Sequence, residues 1–298
     1  MSGEKGNQGH EGKLPSSSPT PGDVSNGFET APRFKIAAVQ MVSTPDVDTN
    51  LRRADALIAE ASAQGARVVG VPEYFCILGM KDSDKVAVRE PEGGGPIQSF
   101  LADAAARHGV WLVGGTVPLV CPDPDKVMNT VLVYDDAGRR VARYDKIHLF
   151  GFDDGRERYE ESRTIMPGTQ PVAFDSPFGR MGLSVCYDLR FPELYRALGP
   201  TDIIWVPSAF TAITGKAHWE PLLRARAIEN LAYVIAPAQG GRHANGRSTH
   251  GHSMIIDPWG VILAERDTGE GVVVAGVDRA RTAKLRGHLP ALEHRRVK

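Results

Sequence analysis

A chain of 298 residues with 42% hydrophobic and 24% charged side chains has an ordinary globular composition and enough length to bury a large core without staples. Its 35 Lys and Arg against 36 Asp and Glu leave a net charge of −1, which argues against nucleic acid or an anionic membrane surface as partner, because both need a positive excess. Three cysteines without a C-x-x-C spacing cannot build a disulfide framework, speak against structural zinc, and fit a reducing, cytoplasmic compartment; no apolar run approaches the roughly 18 residues that span a bilayer.

Residues 1–32 hold 6 Gly, 5 Ser and 4 Pro, and beyond Met1 only Leu14, Val24 and Phe28 as large apolar side chains. Such a segment cannot offset its ordering entropy by burial, so a disordered tail is expected there, followed by one domain over 33–298. Phe34 to Gln40 is a short run of strand formers. Leu51, Ala54, Ile58 and Ala61 then recur with a helical period. A strand over 67–72, a helix over 96–108 and a strand over 110–117 follow, an alternation that implies α/β layering with buried parallel strands. Residues 130–134 and 140–144 flank a turn and read as a hairpin, as do 254–256 and 261–264 around Asp257-Pro258-Trp259-Gly260. Between the hairpins the sequence predicts strands at 180–186, 202–207 and 232–238 and helices at 191–198 and 218–230. The last twenty residues carry seven Lys or Arg and read as a solvated tail.

Phosphate-binding glycine loops are absent from the sequence. His250-Gly251-His252 offers two metal-ligand types but no neighbouring carboxylate cluster, so hydrogen-bonding histidines are the better reading and no metal is expected. Cys186 ends an apolar strand, ahead of Tyr187-Asp188-Leu189-Arg190-Phe191-Pro192, where proline pre-sets a helix. Backbone N–H groups at such a turn favour negative charge, which would lower a thiol pKa. By itself this cysteine reads better as a buried structural one, because free cysteine is among the most buried residue types. Glu73 and Lys146, however, also stand just past apolar strands, and in open α/β sheets the crevice beyond the strands' carboxyl ends binds ligands. Cys76 reads as packing and Cys121, beside Pro122, as loop.

The segments Pro72-Glu73-Tyr74, Asp145-Lys146-Ile147-His148-Leu149-Phe150 and Cys186-Tyr187-Asp188-Leu189-Arg190-Phe191-Pro192-Glu193-Leu194 together resemble the nitrilase, or carbon–nitrogen hydrolase, superfamily. The resemblance implies a four-layer α/β/β/α sandwich of the nitrilase type, paired into dimers or higher homo-oligomers. It implies a catalytic Glu73, Lys146 and Cys186 set, with Glu161 (rather than Glu160) as a second glutamate ahead of Met166-Pro167-Gly168. No cofactor is implied.

An amide is a poor electrophile with a poor leaving group, so the chemistry needs all three residue types. A thiolate adds to the carbonyl, but the adduct expels sulfur again unless the nitrogen is protonated. A carboxylate can carry that proton, and an ammonium with the Tyr187 N–H can hold the oxyanion. Ala238-Gln239, Gly241-Arg242-His243 and Gly251-His252-Ser253-Met254 resemble the Nit branch of amidases. That branch implies an amide of a 2-oxo dicarboxylic acid as substrate, deaminated glutathione before α-ketoglutaramate, as for an ω-amidase. Arg190, Arg242, His243 and Arg247 are the cations expected to serve such an acid. A nitrilase, a carbamoylase and a catalytically silent binding scaffold are the competing readings.

Overall fold

The computed structural model describes residues 1–3, 33–155 and 158–297; the expected disordered tail lies outside the described residues apart from its first three. Among the described residues six α-helices are formed: α1 (Val47–Ala63), α2 (Asp84–Ala87), α3 (Pro96–His108), α4 (Pro192–Ala197), α5 (Ala212–Asn230) and α6 (Arg279–His288). The first sheet comprises β1 (Phe34–Gln40), β2 (Ala66–Gly70), β3 (Trp111–Val113), β4 (Val117–Val120), β5 (Val127–Tyr134), β6 (Arg140–Asp145), β9 (Ile165–Met166) and β16 (Gly271–Val277). Its order is β16-β1-β2-β3-β5-β4, with β6 and β9 also paired to β5. The second runs β10 (Val172–Ser176), β11 (Gly179–Leu183), β12 (Ile203–Trp205), β13 (Tyr233–Ala236), β14 (Ser253–Ile256), β15 (Ile262–Arg266). A separate hairpin joins β7 (Gly151–Asp153) and β8 (Arg158–Glu160).

The layering follows from the two-residue period of a strand. Ile36, Ala38, Val68, Val113, Val131 and Val133 point into one apolar cluster with Met181, Leu183 and Trp205 of the second sheet and with Trp219 and Leu223 of α5. Their neighbours Ala37, Val39, Val69, Leu112 and Leu132 point into another, with Ala54 and Ile58 of α1 and Leu101 of α3. Each central strand is therefore buried on both faces, and the result is the four-layer α/β/β/α sandwich of the nitrilase type. The sheets approach closely at Gly70, where a Cβ would stand 2.4 Å from the Trp205 ring. Only glycine fits there.

The structure departs from the sequence reading at several places. The run 110–117 is interrupted at Gly114-Gly115 and continues as a separate strand, β4. The C-terminal segment is not a solvated tail throughout: 279–288 form α6, whose Arg281 bonds Asp257 at 2.8 Å and whose Arg286 reaches Asp202 at 3.6 Å. Helix α5 starts six residues before the expected 218, capped by the Thr211 hydroxyl, and absorbs Pro221 within its length. Strand β16, which the patterning had not marked, pairs with all seven residues of β1.

Candidate active site

Three strand ends meet above the inner layers, each held by its own local bonds. Past β2, Tyr74 takes a left-handed conformation, φ +56°, rare for a residue with a side chain. Its N–H donates to the Thr116 hydroxyl at 3.0 Å. The Glu73 carbonyl is fixed by the Gln239 amide at 3.0 Å, so the acid side chain is aimed inward from a rigid turn. Past β6, the Lys146 N–H donates to the Asn129 carbonyl at 3.0 Å and its carbonyl accepts from the Gly168 N–H at 2.8 Å. A Cβ at Gly168 would lie 2.2 Å from the Asp145 carbonyl oxygen, which is why the Pro167-Gly168 pair needs its glycine. Past β11, Cys186 is itself left-handed, φ +49°, and its N–H donates to the Pro207 carbonyl at 3.0 Å. Such strained positions typically cost about 1–3 kcal/mol and persist only where surrounding bonds enforce them.

Asp188 supplies much of that enforcement. Fully buried, its carboxylate accepts from the Val185 N–H at 2.8 Å, the Tyr144 hydroxyl at 2.7 Å and the His148 N–H at 3.0 Å. The cysteine turn and the lysine segment are thereby tied to one anchor.

Lys146 Nζ donates to Glu73 Oε1 at 2.9 Å and to the Glu161 oxygens at 2.9 and 2.7 Å. Glu73 also accepts from Asn129 Nδ2 at 3.0 Å and, through Oε2, from the Ala209 N–H at 3.0 Å. Glu161 accepts from the Tyr74 hydroxyl at 2.9 Å and the Phe150 N–H at 2.7 Å. Glu160 does not join this cluster; it pairs with Arg158 and Arg163 at 3.1 and 3.0 Å and is 39% exposed.

Burial raises the Glu73 carboxyl above its ordinary range, against the pull of Lys146 and a hydrogen bond with the Cys186 thiol. Burial acts on Glu161 in the same sense, but the Lys146 ammonium outweighs it and holds that carboxyl low. Lys146 itself, despite burial, is kept firmly protonated by Glu161 and Glu73. The expectation of a lowered thiol pKa is overturned. Burial first, then the Glu73 charge, push Cys186 well up, and the Lys146 charge and the Ala209 amide only partly offset this. The resting sulfur is a thiol beside a carboxylate that can take its proton.

A cavity opens on this cluster, lined by Glu73, Tyr74, Lys85, Glu161, Cys186 and Arg247 among others. A smaller one adjoins it, sharing Phe150, Cys186, Ala209 and Thr211. Tyr187 and Arg190 line the smaller cavity. Arg190 lies over the Tyr187 and Phe210 rings at 5.7 and 5.4 Å, with Nη1 3.2 Å from His218 Nδ1. His243 lines the larger cavity, but its ring nitrogens are taken by the Ser43 carbonyl at 3.0 Å and the Thr249 hydroxyl at 2.8 Å, and burial lowers its pKa. It therefore stands as a neutral loop fastener rather than a cation. Arg242 is exposed and lies outside both linings; Arg247 of the same loop lines the larger cavity instead.

Asn129, Asp188 and Lys85 received no role from the sequence. Asp188 stood inside a quoted motif and could have been weighed as a buried acid, whereas Asn129, in mid-strand, carries no local signal. Cys76 is core, with its sulfur 3.6 Å from the Thr116 carbonyl, and Cys121 contacts Asp123 in a loop. His252 pairs with Glu265 at 2.5 Å and stacks on His250, and among the described residues no group of three His, Cys, Asp or Glu is placed to hold a metal. No helix among them is long and apolar enough to cross a membrane.

The carbon–nitrogen hydrolase family model matches residues 35–287, and the chain belongs to that family of hydrolases acting on carbon–nitrogen bonds other than peptide bonds. Within it the chain is similar to amidases. It is 46% identical over 269 residues to a deaminated glutathione amidase of Synechocystis, covering 88% of this chain and 98% of that one. The Caenorhabditis elegans NitFhit protein superposes with a TM-score of 0.81 at 38% identity; the match covers 89% of this chain and 65% of that longer one. Saccharomyces cerevisiae Nit3, of branch 10 of the nitrilase superfamily, gives 0.79 at 32% identity, covering 89% and 97%.

Proposed function

We propose that the chain is a cysteine-dependent amidase that works through a thioester at Cys186 and acts on an amide of a 2-oxo dicarboxylic acid, deaminated glutathione foremost. The observation that carries the mechanism is the buried Glu73–Lys146–Glu161 cluster set against a protonated Cys186. As sulfur attacks the carbonyl carbon, Glu73 takes the thiol proton. The oxyanion forms against the Lys146 ammonium and the Tyr187 N–H, donors typically worth about 3–4 kcal/mol each. Glu73 then delivers its proton to the departing nitrogen, so the amine leaves rather than the sulfur. It next takes a proton from water, which attacks the thioester, releases the acid and regenerates the thiol. Glu161 fixes the direction of Lys146 and keeps it charged.

The substrate reading is supported by the named relatives and by Arg190. In the smaller cavity this guanidinium has no carboxylate within ion-pair distance among the described residues, so it is available to a keto-acid end. The reading carries with it a reduced thiol, hence a reducing compartment such as the cytosol. Pairing of two copies is supported by an exposed apolar patch at Ile228, Trp259 and Val261, where the hairpin at Gly260 meets α5.

The test is amine and ammonia release from deaminated glutathione and α-ketoglutaramate side by side. The expected result is a higher kcat/KM for deaminated glutathione. A preference for α-ketoglutaramate moves the chain to the ω-amidase reading, and turnover of nitriles or carbamoyl compounds alone overturns the amide reading.

A further inference from the structure

The two cavities that share Cys186 are unequal in a way that divides a substrate. Glu73, the group that must hand a proton to the departing nitrogen, lines the larger cavity and not the smaller. The leaving amine therefore exits into the larger one, and the acyl half extends toward Tyr187 and Arg190. The wall of the larger cavity runs from Glu73 and Cys186 out to Asp82 and Ser248, more than ammonia needs.

The charges lining that larger cavity are nearly all matched. Glu73 and Glu161 share Lys146, Asp82 pairs with Arg247 at 2.7 Å, and Glu160 with Arg163 at 3.0 Å. Among the described residues two lysines have no such partner: Lys81, which is exposed, and Lys85, on the short helix α2. The Lys85 ammonium contacts the Thr164 hydroxyl at 3.3 Å and lies 5.1 Å over the Tyr74 ring, with no carboxylate within ion-pair distance among the described residues. An ammonium has three donors, so most of its hydrogen-bonding capacity is unspent and faces the cavity.

The α2 segment is also held firmly. Asn245 donates to the Gly79 carbonyl at 2.8 Å, and Arg247 grips Asp82, so the loop carrying Thr249 clamps the turn that presents Lys85. The Tyr74 hydroxyl beneath the ammonium bonds Glu161, which places Lys85 on the same wall as the reacting cluster.

We infer that Lys85 is a specificity residue that receives a carboxylate carried by the leaving amine, so that the preferred substrates are amides whose nitrogen belongs to an amino acid or short peptide with a free C-terminus. The inference rests on the amidase reading above for the direction of departure, but not on which acid forms the acyl half.

The experiment is calorimetric binding to the Cys186→Ala enzyme, with and without Lys85→Met or Lys85→Arg. Four ligands are compared: 2-oxoglutaryl and butyryl amides of cysteinylglycine, each as free acid and as C-terminal carboxamide. With Lys85 the free acids are expected to bind about 10- to 100-fold more tightly than the carboxamides, as for a charge-assisted hydrogen bond. Lys85→Met should bring that ratio near one in both acyl series, and Lys85→Arg should keep part of it. A ratio that survives Lys85→Met, or that is near one with Lys85 present, overturns the inference. The acyl reading is judged separately: 2-oxoglutaryl amides that bind no better than butyryl amides count against the proposed substrate, whatever the acid-to-carboxamide ratio.

Discussion

At the floor of the cavity Lys146 and Glu73 are 0% and 1% exposed and bonded to one another, whereas at its rim Arg247 and Asp82 form an equally short pair with 37% and 46% of their side chains in solvent. The two pairs look alike as distances and differ in what their removal costs. Water screens the rim pair, which puts it with exposed pairs worth about 0–1 kcal/mol. The floor has no water to replace a lost partner, so deleting one charge strands the other. The chemistry draws on the same isolation: a carboxylate raised by burial is a better proton carrier near neutral pH than an exposed one.

The largest effect expected from breaking the floor is on turnover. Cys186→Ala removes only the sulfur, so amide hydrolysis should vanish while circular dichroism and thermal unfolding stay near wild type; retained hydrolysis near the wild-type rate contradicts the assignment. Lys146→Met should reduce activity severely and also destabilise the fold by about 3–5 kcal/mol, measured by urea unfolding, because Glu73 and Glu161 lose their shared cation. Alkylation of Cys186 by iodoacetamide should remain measurable in a folded fraction if the ammonium acts mainly on the oxyanion. Glu73→Gln keeps the shape and removes the base, with an expected loss of about 10²–10⁴ in kcat. Normal turnover in that variant contradicts the proton relay.

The pH dependence sharpens the contrast. Glu73 must be ionised to take the thiol proton, and burial raises its pKa, so kcat/KM should fall on the acid side at a pH above the ordinary glutamate value of 4.5. Asn129→Ala removes a bond to the ionised form and should move that acid limb higher with the alkaline plateau little changed. For stability the two glutamates act oppositely. The depressed pKa of Glu161 gives stability present above its ordinary value and lost as pH falls through the lowered one, whereas Glu73, raised, favours the fold at low pH and loses that contribution as pH rises. The smallest effect belongs to the rim: Asp82→Asn should cost less than about 1 kcal/mol in unfolding.

The same contrast governs what could be read from sequence. Glu73, Lys146 and Cys186 stand at the ends of apolar runs inside contiguous motifs, so residue type and position single them out as candidates before any geometry. The layered fold was legible because Ile36-Ala37-Ala38-Val39 and its counterparts are apolar on both faces, which only a doubly covered strand tolerates. Asn129 lies 56 residues from the carboxylate it bonds, and nothing local marks it. Lys85 is one charge among many until the structure shows no carboxylate within ion-pair distance of it among the described residues. Arg242 and Arg247 look alike in sequence, yet neighbours on a tight loop face different ways: 242 is exposed while 247 lines the cavity. The thiol pKa was misjudged because a strand-end turn suggests helpful dipoles, and sequence does not show that burial beside Glu73 outweighs them.

The central claim is a covalent step at one sulfur, and mass spectrometry of the enzyme quenched with acid during turnover of deaminated glutathione tests it most directly. The expected result is a 2-oxoglutaryl adduct on the tryptic peptide containing Cys186, absent from the Cys186→Ala protein. An adduct on Cys76 or Cys121, or full turnover by Cys186→Ala, would contradict it.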